Sequence, residues 1–177
     1  MLDCAWGGFA MEAALAVLNE MEASGLVQRY AIGGALAAFF YSEAVVTEDL
    51  DVFVLLAPPP GNLVSMTPVY EFLKARAAIE HREHLVLAGI LLQIIPAFDP
   101  LTEEAVRDAC HRVVGNTPAR VMTAEHLVAI ALKTGRAKDH GRIALLLEEA
   151  GVNRAKLQGI LSRHRLLGGW SRFQEKS

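Results

Sequence analysis

The chain predicts an α+β fold, with strands and helices mixed over residues 1–98 and a mostly helical lobe, residues 99–177, packed on them. Three observations carry that expectation. Short apolar runs punctuated by Gly and Pro alternate with helical periodicities as far as Phe98. From Asp99 onward, capping residues repeatedly open amphipathic stretches at helical spacing. No Pro-, Gly- or Ser-rich linker separates the two parts, so two lobes in contact are expected, with a cleft between them as the natural place for a ligand.

Taken in order, Met11, Ala14, Leu15, Leu18 and Met21 recur at helical spacing and Gly25 suits the position after a helix end, so residues 11–23 form an amphipathic helix. Residues 30–32 are a short strand. Gly33-Gly34 then lets the backbone turn tightly and approach a ligand where a Cβ would stand in the way. Residues 35–41, nearly all apolar or small, read as a short buried helix. A strand over residues 50–56 ends at the Pro58-Pro59-Pro60-Gly61 loop, and residues 67–77 form a helix with Pro68 in its first turn. Residues 85–87 and 90–92 flank Gly89 as a hairpin or bulged pair. Asp99-Pro100 supplies an N-cap and an N1 proline for a helix reaching about Arg112. Residues 113–121, with Gly115, Asn116 and Pro118, read as a loop leading into a short extended piece. Thr123 caps a helix through Lys133, with Glu125 near its positive end. Asp139 caps another that Gly151 stops, and Asn153 caps a last one to about Leu166, before Gly168-Gly169 and a frayed tail.

Composition narrows the class. With 53% hydrophobic and 21% charged residues among 177, the chain is an ordered globular protein large enough to bury a sizeable core. Its net charge of −3 excludes strong nonspecific attraction to nucleic acid, but the charge is unevenly spread. Residues 1–132 carry 7 Lys/Arg against 16 Asp/Glu, whereas residues 133–177 carry 10 against 4. An acidic body suits metal ligands, and a basic C-terminal part suits polyphosphate or RNA. Two cysteines, Cys4 and Cys110, share no metal-ligand spacing and point to a reduced, cytoplasmic protein. Asp3 and the lack of a basic n-region argue against a signal peptide. The apolar run over residues 85–98 is too short to span a bilayer, so no membrane contact is expected.

The chemistry concentrates in Asp49-Leu50-Asp51. Strand residues two apart point to one face, about 6.5–7 Å apart at the backbone, so Asp49 and Asp51 project side by side while Leu50 and Val52 face the other way. Two such carboxylates about 6 Å apart repel by roughly 3 kcal/mol at an effective dielectric near 20. A divalent cation reverses that sign, and paired carboxylates with water and phosphate oxygens are ligands that Mg²⁺ accepts.

A strand, Gly33-Gly34, a short helix and a strand opening Asp49-Leu50-Asp51 together resemble the nucleotidyltransferase superfamily, the DNA-polymerase-β-like fold. Thr47-Glu48-Asp49-Leu50-Asp51 further resembles the threonine-containing motif of bacterial AbiEii-type toxins, as does Lys133-Thr134-Gly135-Arg136-Ala137-Lys138-Asp139, a late-helix lysine, a basic turn and a Lys-Asp opening the next helix. The resemblance implies a mixed sheet flanked by helices, with Gly33 and Gly34 cradling an NTP and Asp49 and Asp51 holding Mg²⁺ (or Mn²⁺). Lys133 and Lys138 would neutralise the triphosphate, at a helix N-terminus that itself favours an anion. It implies transfer of an NMP to an acceptor hydroxyl, the acceptor being RNA such as tRNA in a toxin–antitoxin setting, with a cognate antitoxin protein as partner.

The sequence departs from the family at two positions. The superfamily's third carboxylate belongs on a neighbouring strand, but the polar residue in Ile90-Leu91-Leu92-Gln93-Ile94-Ile95 is Gln93, which neither accepts a proton nor binds Mg²⁺ as a carboxylate does. Val46 occupies a position that is usually basic. Either Asp139 or another group acts as base, or the enzyme is slow, or the fold serves as a non-catalytic nucleotide-binding module or complex subunit. Elsewhere, His81 and His84 read as a solvated turn, Asp108 and His111 as a surface pair on the Asp99 helix, and Trp6 and Trp170 as packing or contact residues near the chain ends.

Overall fold

The computed structural model describes residues 8–41, 49–57, 65–81 and 84–175. Cys4, Trp6, Val46, Thr47, Glu48, Arg82, Glu83 and the Pro58–Gly61 loop therefore lie outside the described residues. Among those described, eight helices and seven strands follow in the order α1 (Gly8–Ala23), β1 (Val27–Ile32), α2 (Gly34–Phe39), β2 (Asp49–Leu56), α3 (Thr67–Lys74), β3 (Ile79–His81), β4 (His84–Leu87), β5 (Ile90–Pro96), α4 (Pro100–Arg107), β6 (Cys110–Val114), β7 (Thr117–Val121), α5 (Ala124–Thr134), α6 (Ala137–Glu149), α7 (Arg154–Arg163) and α8 (Leu167–Gln174). All seven strands form one mixed sheet, ordered β3-β4-β5-β2-β1-β7-β6. This is the α+β architecture that the sequence predicts.

β2 runs antiparallel to β1 and parallel to β5, and its Val52 to Leu55 stretch is buried on both faces. In–out alternation holds only at its start, where Asp49 and Asp51 are part-exposed around a buried Leu50. The β1–α2 turn is tied to that start, because Gly33 N–H donates to the Asp51 carbonyl oxygen at 2.9 Å. Apolar α2 contacts both α5 and α6, which seats the helical lobe over the aspartate end of β2. Ala88 and Gly89, both at positive φ, form the expected two-residue turn between β4 and β5.

Four expectations are corrected. The Asp99-capped helix ends at Arg107 rather than near Arg112, and residues 113–121 are not a loop but most of a hairpin. Gly115-Asn116 supplies its two-residue turn, with Gly115 at φ +57°. Pro118 is tolerated because β7 meets β1 only at Val121, leaving the proline's missing N–H on a side with no ladder to complete. The hairpin joins β1, so the sheet draws strands from both sides of residue 98. His111 consequently sits on β6, its Nε2 2.9 Å from Arg120 Nη1, rather than beside Asp108 on a helix. Beyond Gly168-Gly169 the chain is helical, not frayed: Trp170 and Phe173 are buried and stacked at 5.6 Å between ring centroids.

Candidate active site at the β2–α6 cleft

A cleft of about 270 Å³ opens between the start of β2 and the α5–α6 turn. Gly34, Asp49, Asp51 and Gln93 line its sheet side, and Arg136, Lys138, Asp139 and Arg142 line its helical side. The floor between them is apolar, from Phe53, Ile95, Leu127 and Ile130.

Glycine is required at both positions of the turn. A Cβ on Gly33 would lie 2.5 Å from Phe53 Cε2. At Gly34 the backbone has φ +60°, and a Cβ would lie 1.8 Å from Asp51 Oδ2. The glycine turn and the Asp51 carboxylate are therefore in direct contact. Burial, and then the charge of Asp49, push the Asp51 carboxyl above its usual range, while Arg142, Lys138 and Arg136 pull it back. No salt bridge joins Asp51 to those cations among the described residues, so the two signs of charge face each other across the opening. Gln93 stands in register beside Asp51 on the parallel strand β5 and faces the same cleft.

The opposite wall is held in place by Asp139. The sequence predicts Asp139 as the N-cap of its helix, but α6 begins at Ala137 with Arg136 as cap residue. Asp139 sits one turn in, buried, and its Oδ2 accepts the Arg136 backbone N–H at 3.1 Å and Arg136 Nε at 3.0 Å. Its Oδ1 faces Arg142 Nη1 at 3.5 Å. One carboxylate thus fixes two guanidinium groups at the cleft.

Lys133 is elsewhere. Its Nζ lies 2.8 Å from Asp99 Oδ1, in a separate depression on the other side of α5. The reason is helical geometry. Leu127, Ile130, Ala131 and Thr134 form the stripe that faces the cleft, and Lys133 is about 100° round the helix from Thr134.

No protein-family model matches the chain, and no curated protein matches it in sequence. Solved structures do match along nearly its whole length. An antigenic nucleotidyltransferase-like protein from Paracoccidioides brasiliensis superposes with a TM-score of 0.55 at 13% identity, over 94% of this chain and 93% of that one. The antibiotic-resistance factor ANT(2'')-Ia superposes with a TM-score of 0.53 at 13% identity, over 96% of each chain. The same factor in complex with adenylyl-2''-tobramycin gives 0.50 at 15%, over 94% of this chain and 98% of that one. The fold is nucleotidyltransferase-like.

Within this nucleotidyltransferase-like fold, two cleft cations escaped the sequence reading as site residues, Arg136 and Arg142. Their signal was present, since residues 136, 139 and 142 recur every three positions and share one face of a helix. A second group was also missed. Glu104, Asp108 and His126 offer ligand atoms within 4.8 Å of one another, on the face of α5 turned away from the cleft. Glu104 is already engaged, however, by Arg163 Nη2 at 2.5 Å, His164 Nε2 at 2.7 Å and His126 Nε2 at 3.3 Å. The Arg163 bond, assisted by the two imidazoles and opposed by burial, lowers its carboxyl to about 2. His126, wholly buried, is pushed below the usual histidine range by that burial, and its Nδ1 meets Thr123 Oγ1 at 2.9 Å.

Proposed function

We propose that the chain transfers a nucleoside monophosphate from an NTP to an acceptor hydroxyl, releasing pyrophosphate. The observation that carries this reading is the opposition, across one cleft, of the Gly34–Asp51 contact to Arg136, Lys138 and Arg142. A metal-bound triphosphate carries both signs of charge. Its cation suits the carboxylates, and its phosphates suit guanidinium, ammonium and backbone N–H groups.

The donor set fits Mg²⁺ or Mn²⁺. Asp49 and Asp51 are hard oxygen ligands, and Asp51 is a part-buried carboxylate beside a second negative charge, a condition that a cation relieves. These two residues would hold the metal, which when bound polarises the α-phosphate and offsets its charge. The chain's own groups then do the positioning. Gly33 and Gly34 let the turn close onto Phe53 and Asp51 and so hold the Asp51 carboxylate at the cleft, while Lys138, Arg136 and Arg142 neutralise the charge that develops on the departing pyrophosphate. Asp139 is a positioning residue in this scheme rather than the base, one of the roles the sequence left open for it, because both of its oxygens already face arginine. Gln93 can accept a hydrogen bond from the acceptor hydroxyl but cannot take its proton, which passes to solvent water as the phosphorus–oxygen bond forms, so turnover is slow.

The AbiEii-type resemblance and the basic C-terminal part support an RNA acceptor and an antitoxin partner. No helix among the described residues is long and apolar enough to cross a membrane. A second reading, a nucleotide-binding module without turnover, is favoured by one specific observation, the pairing of Gln93 with Asp51. Thermal shift with each NTP plus Mg²⁺ tests what the two readings share, and no shift with any NTP sinks both. α-Labelled NTP with a total RNA pool, and separately with aminoglycosides (the adenylyl-tobramycin complex names one such acceptor), then separates them, since label transfer is expected of the enzyme only.

A further inference from the structure

α5 ends between two hollows. Thr134 lines the cleft, and Lys133 lines a second depression of about 330 Å³ formed with the start of α4 and the end of α7. Lys133, Arg163, His164 and Arg165 line it together with one acid, Asp99. Lys133 bonds Asp99 and Arg163 bonds Glu104, yet their side chains remain 49% and 57% exposed, so both cations still face solvent. Arg165 differs, because among the described residues no carboxylate pairs with its guanidinium. It also sits at φ +58°, in the left-handed region where glycine is the usual residue after a helix. The helix-ending turn holds it there: Arg165 N–H donates to Ser162 O at 3.2 Å, and Leu166 N–H to Leu161 O at 2.8 Å. The same turn sets Ala77 at φ +63° after α3, so the backbone is a helix ending, and what points to a ligand is the unpaired guanidinium that it carries at the edge of a basic hollow.

We propose that this depression binds a phosphate group of the acceptor. The acceptor role rests on the nucleotidyl-transfer reading, whereas the anion site stands on its own residues. Planar guanidinium forks from Arg163 and Arg165 match phosphate oxygens, and Lys133 adds a point charge. The hollow is open, unlike the enclosed pockets that cover most of a small ligand, so it fits a phosphate belonging to a longer chain. The two hollows lie on either side of the end of α5, at Thr134 and Lys133, so a strand anchored here has to pass that helix end to bring a hydroxyl to the cleft. A polycationic acceptor would meet like charge at this point.

The test is fluorescence anisotropy of the full chain with a short labelled single-stranded RNA, comparing wild type, Arg165→Gly and Arg165→Glu. Glycine suits the backbone at φ +58°, so Arg165→Gly keeps its Tm while removing the cation. The strand is expected to bind Arg165→Gly about threefold more weakly and Arg165→Glu more weakly still. The salt dependence should flatten by about 0.7 for each phosphate that the protein no longer neutralises. Displacement of the strand by inorganic phosphate assigns the site to a lone phosphate, and its retention assigns the site to a chain of them. Equal affinity and salt dependence in all three proteins overturns the proposal. The NTP-dependent thermal shift, read on the same variants, should stay at its wild-type value. A wild type that binds the strand through Arg165 but shows no NTP shift sinks the transfer reading and leaves the phosphate site standing.

Discussion

Helix α5 separates two clusters built from the same ingredients. On one face, Glu104 is closed upon by Arg163, His164 and His126. On the other, Asp51 looks across an open cleft at Arg136, Lys138 and Arg142. The carboxyl groups respond in opposite senses, Glu104 falling to about 2 and Asp51 rising above its usual range. The closed cluster commits its carboxylate to joining α4, α5 and α7, and Glu104 has little attraction left for a metal ion. The open cluster keeps opposite charges apart, which the fold tolerates only as a cost to stability. By donor type alone, Glu104, Asp108 and His126 look more like a metal site than two aspartates do. The balance of charge around each group reverses that ranking.

The comparison breaks most visibly in activity. Replacing Asp49 and Asp51 together by Ala is expected to lower label transfer from α-labelled NTP on the order of 10³-fold. Glu104→Gln is expected to leave transfer within a few-fold of wild type. Transfer that survives the double substitution would remove the metal from this cleft. Next comes Gly34→Ala, where a positive φ and a Cβ 1.8 Å from Asp51 Oδ2 combine. The substitution should cost about 2 kcal/mol in urea unfolding and push the Asp51 carboxylate out of place, weakening the Mg²⁺·NTP thermal shift. An Ala variant with wild-type stability and shift would show that the turn and the aspartate do not touch.

A smaller effect tests the closed cluster. The folded Glu104 carboxyl titrates far below its usual range, so its stabilising contribution is present above about pH 4.5 and disappears as pH falls toward about 2. Arg163 is more than half exposed, which screens the pair, and Glu104→Gln should therefore cost about 1–2 kcal/mol at pH 7. Wild type and variant should converge in Tm as pH falls through that window. A constant difference from pH 7 to pH 2 would mean the loss is one of packing, not charge.

Much of this was legible in the sequence because local signals were strong and mutually consistent. The glycine pair and Asp49-Leu50-Asp51 lie near each other in the chain and obey strand alternation, so their meeting needs only one antiparallel pairing. Gln93 was placed near the aspartates by the family resemblance, which puts a third carboxylate on a neighbouring strand, and β5 does pair with β2 so that Gln93 lies beside Asp51. Lys133 failed because a motif specifies sequence neighbours, and consecutive helical residues point about 100° apart. The β6–β7 hairpin was missed because Pro118 argued against a strand, although Gly115-Asn116 is a two-residue hairpin turn. The Glu104 cluster joins residues from three helices, 22 and 60 positions apart, and no periodicity predicts that convergence.

The finest test of the contrast is Asp51→Asn, which keeps the shape beside Gly34 and removes only the charge. The folded carboxyl of Asp51 is raised by burial and by Asp49, so the unfolded chain releases its proton more readily than the folded one does. Stability that the native state gains from a protonated Asp51 is fully present below the ordinary aspartate range and is lost as pH rises through the elevated value. At pH 7 the ionised group therefore weighs against folding, and Asn should raise stability by about 1 kcal/mol, a few degrees in Tm. Near pH 3, where Asp51 is protonated in both states, the two proteins should melt together. Mg²⁺ should close the gap from the other side, stabilising wild type and leaving Asp51→Asn nearly unmoved. A variant less stable than wild type at pH 7 without metal would mean that Arg136, Lys138 and Arg142 already satisfy Asp51, and the cleft would then be a closed cluster like its counterpart across α5.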